Sequence, residues 1–395
     1  MRALFTIALV NAFAHLAFVQ LLLVSWPRLR KHQDTLRALA LMLGPWPLVG
    51  RVLVQQTGAS WALSFEAAAF MERGIVGLST LLTLPVVLLL RRALRAPAPR
   101  VEPAPKVPPP ATAAGNAEAA PEQVPRREAL VRGITWGTFA GAGTMLGWGM
   151  TKGRLGFELE EVVVRIPGLP RVLDGYTIAQ ISDVHVGAFM QEAELRAGFE
   201  TLRAARADLV VCTGDLVDID PRQTALFARM LDTVQARDGK YAVIGNHEYY
   251  AGKAEVMRQL RAAGIPVLFN QGVRVRAGDA GGFALLGVDD EMGAPDLDLA
   301  ISQVPQELPR ILLAHRPDFF LRSAGRVALQ LSGHTHGGQI APMGITPASA
   351  LLRFNRGRYD RDRSVLWVNR GFGVAAVPAR MGVPPEVTKI VLVAG

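Results

Sequence analysis

Residues 3–27 contain no charged side chain, an unbroken run of 25. A helix needs about 20 apolar residues to cross the hydrocarbon core of a bilayer, so this run can span. It is too long for a simple signal peptide and lacks the small-residue cleavage pattern of one. Three further apolar stretches follow. Residues 38–65 are interrupted by Arg51, Pro45 and Pro47 and form the weakest of them. They are expected to span, with an interfacial or re-entrant helix as the alternative. Residues 74–90 and 133–151 carry no charge, the latter being rich in Gly and Trp.

The charge distribution agrees with this division. The formal net charge is +9. Residues 1–150 hold 15 Lys+Arg and 7 Asp+Glu, whereas residues 151–395 hold 28 and 27. The basic excess therefore sits in the apolar part, and the remainder lacks the electrostatic footprint of a nucleic-acid binder. One cysteine in the whole chain excludes a disulfide scaffold and a Cys-based zinc site.

Lys and Arg in short loops set membrane orientation. Arg28, Arg30, Lys31 and Arg37 follow the first run. Arg91, Arg92 and Arg95 follow the third, and Arg126, Arg127 and Arg132 precede the fourth. The loop between the second and third holds Glu66, Glu72 and Arg73. The expectation is a multi-pass protein of the cell membrane with the basic loops inside. Its N-terminus and C-terminal domain then lie on the extracytoplasmic (periplasmic) face. The expected organisation is a transmembrane region at 1–95 with about three helices, a Pro/Ala-rich linker at 96–132, a fourth transmembrane helix at 133–151 and a catalytic domain at 155–395. Residues 96–125 hold 9 Pro and 9 Ala, a composition that extends rather than packs. Arg126-Arg127 resembles an internal twin-arginine export signal, the plainer reading being a positive-inside anchor.

From residue 156 the pattern becomes α/β. Short β-rich runs at 161–166, 176–181, 209–212, 241–244, 283–288, 311–314, 327–331, 365–368 and 389–393 are expected strands. Helical stretches at 191–206, 223–236 and 253–263 alternate with several of them, which argues for helices covering a sheet. Cys212, in an apolar run, reads as a core residue.

Five polar blocks stand just after these strands: Asp183-Val184-His185, Gly214-Asp215-Leu216-Val217-Asp218, Gly245-Asn246-His247-Glu248, His315, and Gly333-His334-Thr335-His336. Ligand sites in open α/β sheets form at the carboxyl ends of strands. Of the seven histidines, His15 and His32 fall in the apolar part, and the other five all fall in these blocks. That placement favours ligation over a structural role. Asp183, His185 and His336 can hold one cation, and Asn246, His315 and His334 another. Asp215 can bridge them, because a carboxylate offers two oxygens. Spacing alone does not say whether each His or Asp-x-His pair serves one metal or is split between two. Nitrogen and oxygen ligands suit two divalent ions of Mn, Fe or Zn. A metal pair roughly 3.5–4 Å apart holds a hydroxide between its ions and clamps an in-line displacement at phosphorus.

The ordered set D-x-H, G-D-x-x-D, G-N-H-[DE], H and G-H-x-H resembles the calcineurin-like metallophosphoesterase superfamily over about residues 160–395. The resemblance implies a β-sandwich flanked by helices, here preceded by an α-helical transmembrane region. The run Gly333-His334-Thr335-His336-Gly337-Gly338-Gln339 is similar to the membrane-anchored bacterial phosphoesterases of the YkuE and YaeI type. So are Val368-Asn369-Arg370-Gly371-Phe372-Gly373 and the segment from Arg380 to Thr388. The multi-span front end is also similar to that of animal transmembrane proteins with a metallophosphoesterase domain.

The resemblance implies roles for individual residues. Asp183, His185, Asp215 and His336 look like the first metal site, and Asp215, Asn246, His315 and His334 like the second. His247 looks like the catalytic histidine that stabilises the transition state or protonates the leaving oxygen, and Asp218 like the acid that orients it. Arg370 and Gln339 are candidate contacts to substrate phosphate. The basic run at 353–363 reads as a solvated loop, or as a rim to the site. The expected function is a membrane-anchored dinuclear phosphohydrolase using a metal-bridging hydroxide. Its substrate would be a phosphomonoester or phosphodiester, small or lipid-linked, with no nucleic-acid partner. The alternative is a non-catalytic membrane sensor that binds metal or phosphate, against which the intact ligand set argues.

Overall fold

The computed structural model describes residues 2–57, 60–94, 126–276, 281–341, 344, 346, 351–375 and 377–395. Residues 95–125, most of the expected linker, lie outside these. The chain forms two compact units, Met1–Leu48 with Glu72–Thr144, and Val49–Met71 with Met145–Gly395.

The first unit is helical. It contains α1 (Arg2–Ser25), α2 (Gln33–Leu43), α5 (Ser79–Ala93) and most of α6 (Arg126–Trp148). Leu21, Val24, Val87 and Val131 pack together, as do Val19, Leu23 and Ala40. Some polar groups on these apolar helices find partners within the unit. His15 Nε2 lies 2.7 Å from Glu72 Oε1, and Asn11 Nδ2 donates to the Leu43 carbonyl at 2.9 Å.

The stretch at 38–65 is not one helix. Pro45 and Pro47 break it, because proline cannot donate to the preceding turn and is favoured at a helix start. The chain turns after α2, restarts as α3 (Trp46–Thr57) and continues as α4 (Ser60–Glu72). Three segments are long and apolar enough to cross a membrane: Ala8–Ser25, Pro27–Leu53 and Arg73–Ala93. The helix expected at 133–151 begins earlier, at Arg126, so residues 126–132 are helical rather than linker. Five glycines dilute the apolar character of α6, and it is not among the three.

The second unit carries two sheets. In the first, β1 (Glu158–Ile166), β11 (Glu386–Ala394), β2 (Tyr176–Ile181), β3 (Leu209–Thr213) and β4 (Lys240–Val243) lie side by side in that order. In the second, the order is β5 (Gln271–Val275), β6 (Phe283–Gly287), β7 (Arg310–Leu313), β8 (Leu329–Ser332), β10 (Ser364–Val368) and β9 (Gly357–Arg361). Strands β2, β3 and β4 run parallel, as do β6, β7, β8 and β10.

The sheets pack face to face. Ile178, Leu209, Val211 and Val243 of the first meet Leu285, Ile311, Leu313, Leu329, Leu331 and Trp367 of the second in one buried core. Helices α7 (Glu192–Ala204), α8 (Thr224–Asp232) and α10 (Lys253–Ala262) cover the first sheet through Leu195, Phe199, Phe227, Leu231, Val256 and Leu260. Helix α11 (Leu297–Ser302) covers the second through Leu297 and Ala300. This is the sandwich flanked by helices that the motif order implied.

Two strands were not legible. β5 is short and interrupted by Gly272 and Arg274. β9 falls in the basic run read as a loop and instead pairs antiparallel with β10 as an edge strand. Its Arg358 and Asp360 are ion-paired at 2.7 Å, and Tyr359 packs on Phe354. Charged side chains of this kind discourage edge-to-edge pairing.

Candidate metal centre

The five polar blocks meet because parallel strands deliver them to one edge. Asp183 and His185 follow β2, Asp215 follows β3, His315 follows β7, and His334 and His336 follow β8. Asn246 and His247 open α9 (Asn246–Ala251), directly after β4. Backbone bonds tie the loops together: Asp183 N–H donates to Gly214 O and His185 N–H to Asp215 O, both at 3.0 Å.

Five of these residues adopt backbone conformations that side chains rarely take. Asp183, His185, Asp215, His334 and His336 have φ between 49° and 73°. Each such residue costs of order 1–3 kcal/mol and persists only where the surroundings impose it. Asp and His are among the types that tolerate this region best.

Three clusters of ligand atoms result: Asp183 with His185 and His336, His185 with Asp215 and His247, and Asp215 with His315 and His334. His334 and His336 therefore diverge into different clusters. His185 Nε2 lies 3.0 Å from His336 Nε2, and His336 Nε2 lies 3.4 Å from Asp183 Oδ1. On the other side, His315 Nε2 lies 3.1 Å from His334 Nδ1. Asp215 Oδ2 sits between, 3.3 Å from His315 Nε2 and 3.7 Å from His185 Nε2. His315 Nδ1 lies 2.8 Å from the Thr213 carbonyl, which leaves Nε2 as its ligand atom.

Burial, and then the charge on His247, pushes His185 down to about 3. Burial, His315 and Arg316 push His334 to about 3 as well. Burial opposes charge on His315 too, but the adjoining Asp215 carboxylate raises it to about 10. Burial opposes charge on Asp215 likewise, yet His315 and His247 hold its carboxyl well below the usual range. His185 and His334 are thus neutral beside the ionised Asp215 carboxylate, donors that divalent metals take, while His315 must give up its proton to join them.

These residues fit a pair of divalent cations on a further count. Asn246 Oδ1 and His185 Nδ1 are buried with no hydrogen-bond partner among the described residues. An unpaired buried polar atom is costly, and a coordinated ion removes that cost for a ligating oxygen.

His247 stands apart from the two outer clusters. Its Nδ1 lies 3.1 Å from Asp218 Oδ1 and 2.8 Å from the Asp218 carbonyl. Its backbone N–H donates to Asp215 Oδ1 at 2.9 Å. The other carboxylate oxygen of Asp218 accepts from Arg51 Nη2 at 2.9 Å.

Arg370 and Gln339 are committed elsewhere. Arg370 Nε donates to Glu386 at 2.5 Å and Nη2 to Glu160 at 2.8 Å. Gln339 Nε2 donates to the Ala375 and Val377 carbonyls, and its Oε1 accepts from Ala375 N–H at 3.0 Å.

Three supporting residues went unassigned in the sequence. Glu248 is fully buried and accepts from the N–H groups of Gly245, Asp215, Leu216 and Val217 at 2.7–3.2 Å. Its signal was the fourth letter of the Gly245-Asn246-His247-Glu248 block. Arg316, adjacent to His315, pairs with Asp290 at 2.9 Å and reaches His334 Nε2 at 3.2 Å. Arg380, fully buried, donates to the Gly371 and Gly373 carbonyls and lies 3.4 Å from His336 Nδ1. Its signal was the family-like segment that opens at Arg380, though no role was assigned to it.

A sequence model of the calcineurin-like phosphoesterase family matches residues 176–338. The uncharacterized metallophosphoesterase YkuE of Bacillus subtilis is 31% identical over 245 residues, covering 60% of this chain and 85% of that protein. An uncharacterized metallophosphoesterase of Aquifex aeolicus is 30% identical over 244 residues, covering 60% of this chain and 91% of the relative. The transmembrane protein with metallophosphoesterase domain of Danio rerio is 30% identical over 252 residues, covering 60% of this chain and 57% of that one.

Proposed function

The chain belongs to the calcineurin-like phosphoesterase family, and from that premise we propose that it is a membrane-anchored phosphohydrolase with a dinuclear metal centre. Its class, a metal-binding hydrolase of phosphoric esters, follows from the family and its relatives. The metal number, the residue roles and the orientation are our reading. The observation that carries it is Asp215, whose Oδ2 lies within 3.7 Å of the ligand nitrogens of both outer clusters.

Asp183, His185, Asp215 and His336 would hold one cation. Asp215, Asn246, His315 and His334 would hold the other. When bound, such a pair supplies a water nucleophile at neutral pH and neutralises phosphate oxygens. The chain's own groups do the rest. Asp218 holds Nδ1 of His247, so Nε2 is the nitrogen left to donate a proton to the departing oxygen. Arg316, paired with Asp290, holds Nε2 of His334 and so leaves Nδ1 as its ligand atom. Arg370 and Gln339 are left out of this set, since their polar groups are used within the chain. Burial of Asp183, His185 and His315 keeps bulk water from competing for these contacts.

The three spanning-length segments, α6 as a fourth crossing and the basic loops support a multi-pass anchor with the catalytic unit on the extracytoplasmic face. The second crossing would fall within Pro27–Leu53, after the basic residues Arg28, Arg30 and Lys31, and α4 would lie outside the bilayer. A small or lipid-linked phosphoester suits such an anchor better than nucleic acid. The test uses purified full-length protein in nanodiscs, with metal analysis and a screen of phosphomonoesters, phosphodiesters and nucleotide-lipid pyrophosphates. Metal-dependent turnover that Asp215→Asn abolishes is expected. Undiminished turnover by metal-depleted Asp215→Asn protein overturns the reading. Metal-loaded protein that binds phosphate but hydrolyses no ester favours a sensor. A cytoplasmic signal from a reporter fused to the C-terminus overturns the orientation.

A further inference from the structure

The apolar N-terminal part contributes one side chain to the surroundings of the catalytic histidine. Arg51 lies on α3, far from the five motif blocks in sequence. Its side chain is only 14% exposed, and it belongs to the same compact unit as the sheets. Arg51 Nη2 donates to Asp218 Oδ2 at 2.9 Å, and Arg51 Nε donates to Glu66 Oε1 at 3.2 Å. Glu66, on α4, is 2% exposed. The two oxygens of Asp218 are thus divided, Oδ2 to Arg51 and Oδ1 to His247 Nδ1 at 3.1 Å.

The backbone is shaped for this arrangement. Gly50 precedes Arg51, and a Cβ there would lie 2.8 Å from the Glu66 Cα. No larger residue allows α3 and α4 to approach so closely, and that approach sets Glu66 against the guanidinium. A buried charged pair is expensive to desolvate, so its partners must be well placed to hold it. A guanidinium with partners on two of its nitrogens is also held in one orientation.

We infer that Arg51 is a positioning residue for His247, acting through Asp218. The inference rests on the proposed role of His247 in the hydrolysis. Arg51 fixes the Asp218 carboxylate in the rotamer that accepts from His247 Nδ1–H. Held by that contact and by the Asp218 carbonyl 2.8 Å from the same nitrogen, the ring turns Nε2 toward the scissile phosphate. The catalytic machinery then includes a side chain from the end of the second membrane crossing. A catalytic domain cut away at residue 155 lacks it.

The experiment uses full-length protein in nanodiscs as wild type, Arg51→Met, Arg51→Lys, His247→Ala and the Arg51→Met/His247→Ala double variant. Turnover is measured on 4-nitrophenyl and phenyl methyl phosphate, with metal content and thermal unfolding recorded for each protein. Arg51→Met is expected to lower kcat about 10- to 100-fold, part of the roughly 10²- to 10⁴-fold that a positioned general acid contributes. KM and metal content should hold. The loss should be larger for the phenyl ester, whose leaving oxygen needs the proton more. Arg51→Lys should recover part of it, and Arg51→Met should cost nothing further once His247 is gone. Unchanged kcat in Arg51→Met overturns the inference, as does an equal loss in both His247 backgrounds or a loss that tracks metal content. Wild type that hydrolyses neither ester counts against the proposed function instead. A readout free of turnover then decides on Arg51: in ¹⁵N spectra of histidine-labelled protein the His247 ring resonances should shift in Arg51→Met, as the Asp218 carboxylate moves from Nδ1. Unaltered His247 ring resonances overturn the inference.

Discussion

Nε2 of His185 and Nε2 of His336 face each other across 3.0 Å, with their rings near-parallel at 24°. Two imidazole nitrogens share such a distance only through one proton or one cation. The Asp183 carboxylate beside them, 3.4 Å from His336 Nε2, favours the cation. His336→Ala removes one of these donors while leaving the other cluster whole. Metal content per chain should fall by about one equivalent, and phosphodiester hydrolysis by at least about a hundredfold, the upper end of what supporting residues cost. Metal analysis alongside kcat checks both; full metal occupancy in this variant contradicts the assignment.

Chelation should stop hydrolysis without unfolding the second unit, because its core of two packed sheets is independent of the ligands. Circular dichroism should be retained, and activity should return on adding a divalent ion. Turnover that persists in chelator removes metal from the mechanism.

Metal binding should depend on pH. The Asp215 carboxylate outweighs burial to raise His315 to about 10, and a ligating imidazole must be neutral. Below that pH a cation must displace the His315 proton, so apparent affinity rises with pH. The expected gain is about tenfold per pH unit for one displaced proton, flattening above about 10. Calorimetry in two buffers of different ionisation enthalpy reads the released proton directly. A pH-independent affinity between 6 and 8 contradicts it.

Gly333 has no room for a side chain. A Cβ there would collide with Ser182 Oγ and the Asp183 carboxylate. His334 N–H donates to both oxygens of that carboxylate, at 2.9 and 3.0 Å. Gly333→Ala should therefore displace Asp183 and His334 together. A loss of metal and activity is expected, with the thermal midpoint lowered by only a few degrees. Normal metal content in this variant shows that the loop is more tolerant than its packing suggests.

Cys212 should be inert. It is fully buried on β3, and burial pushes its thiol up to about 12. No labelling by a thiol reagent is expected until the second unit unfolds. Rapid labelling of native protein would place Cys212 outside the core.

The catalytic unit was legible because its chemistry is local. Each polar block follows its own strand within a few residues, so Asp183-x-His185 and His334-x-His336 announce ligands without any knowledge of pairing. The strands themselves were read from β-branched runs. β9 escaped because Arg358, Asp360 and Arg361 hide its alternation, and β5 because Gly272 and Arg274 interrupt its short run. The helix at 126–148 began earlier than expected because Arg126, Arg127 and Glu128 stop an apolar count but not a helix.

By itself the sequence determined the family, the α/β sandwich, the seven ligand candidates and the apolar front end, since all rest on residue type and near-neighbour spacing. The tertiary structure decided what depends on distance between segments remote in the chain. It sent His334 and His336 to different clusters, set Asp215 between them, turned Arg370 and Gln339 onto partners within the chain, and carried Arg51 to Asp218. A hydrogen bond requires two groups to meet within about 3 Å, and spacing along a chain says nothing about groups that meet only when it folds.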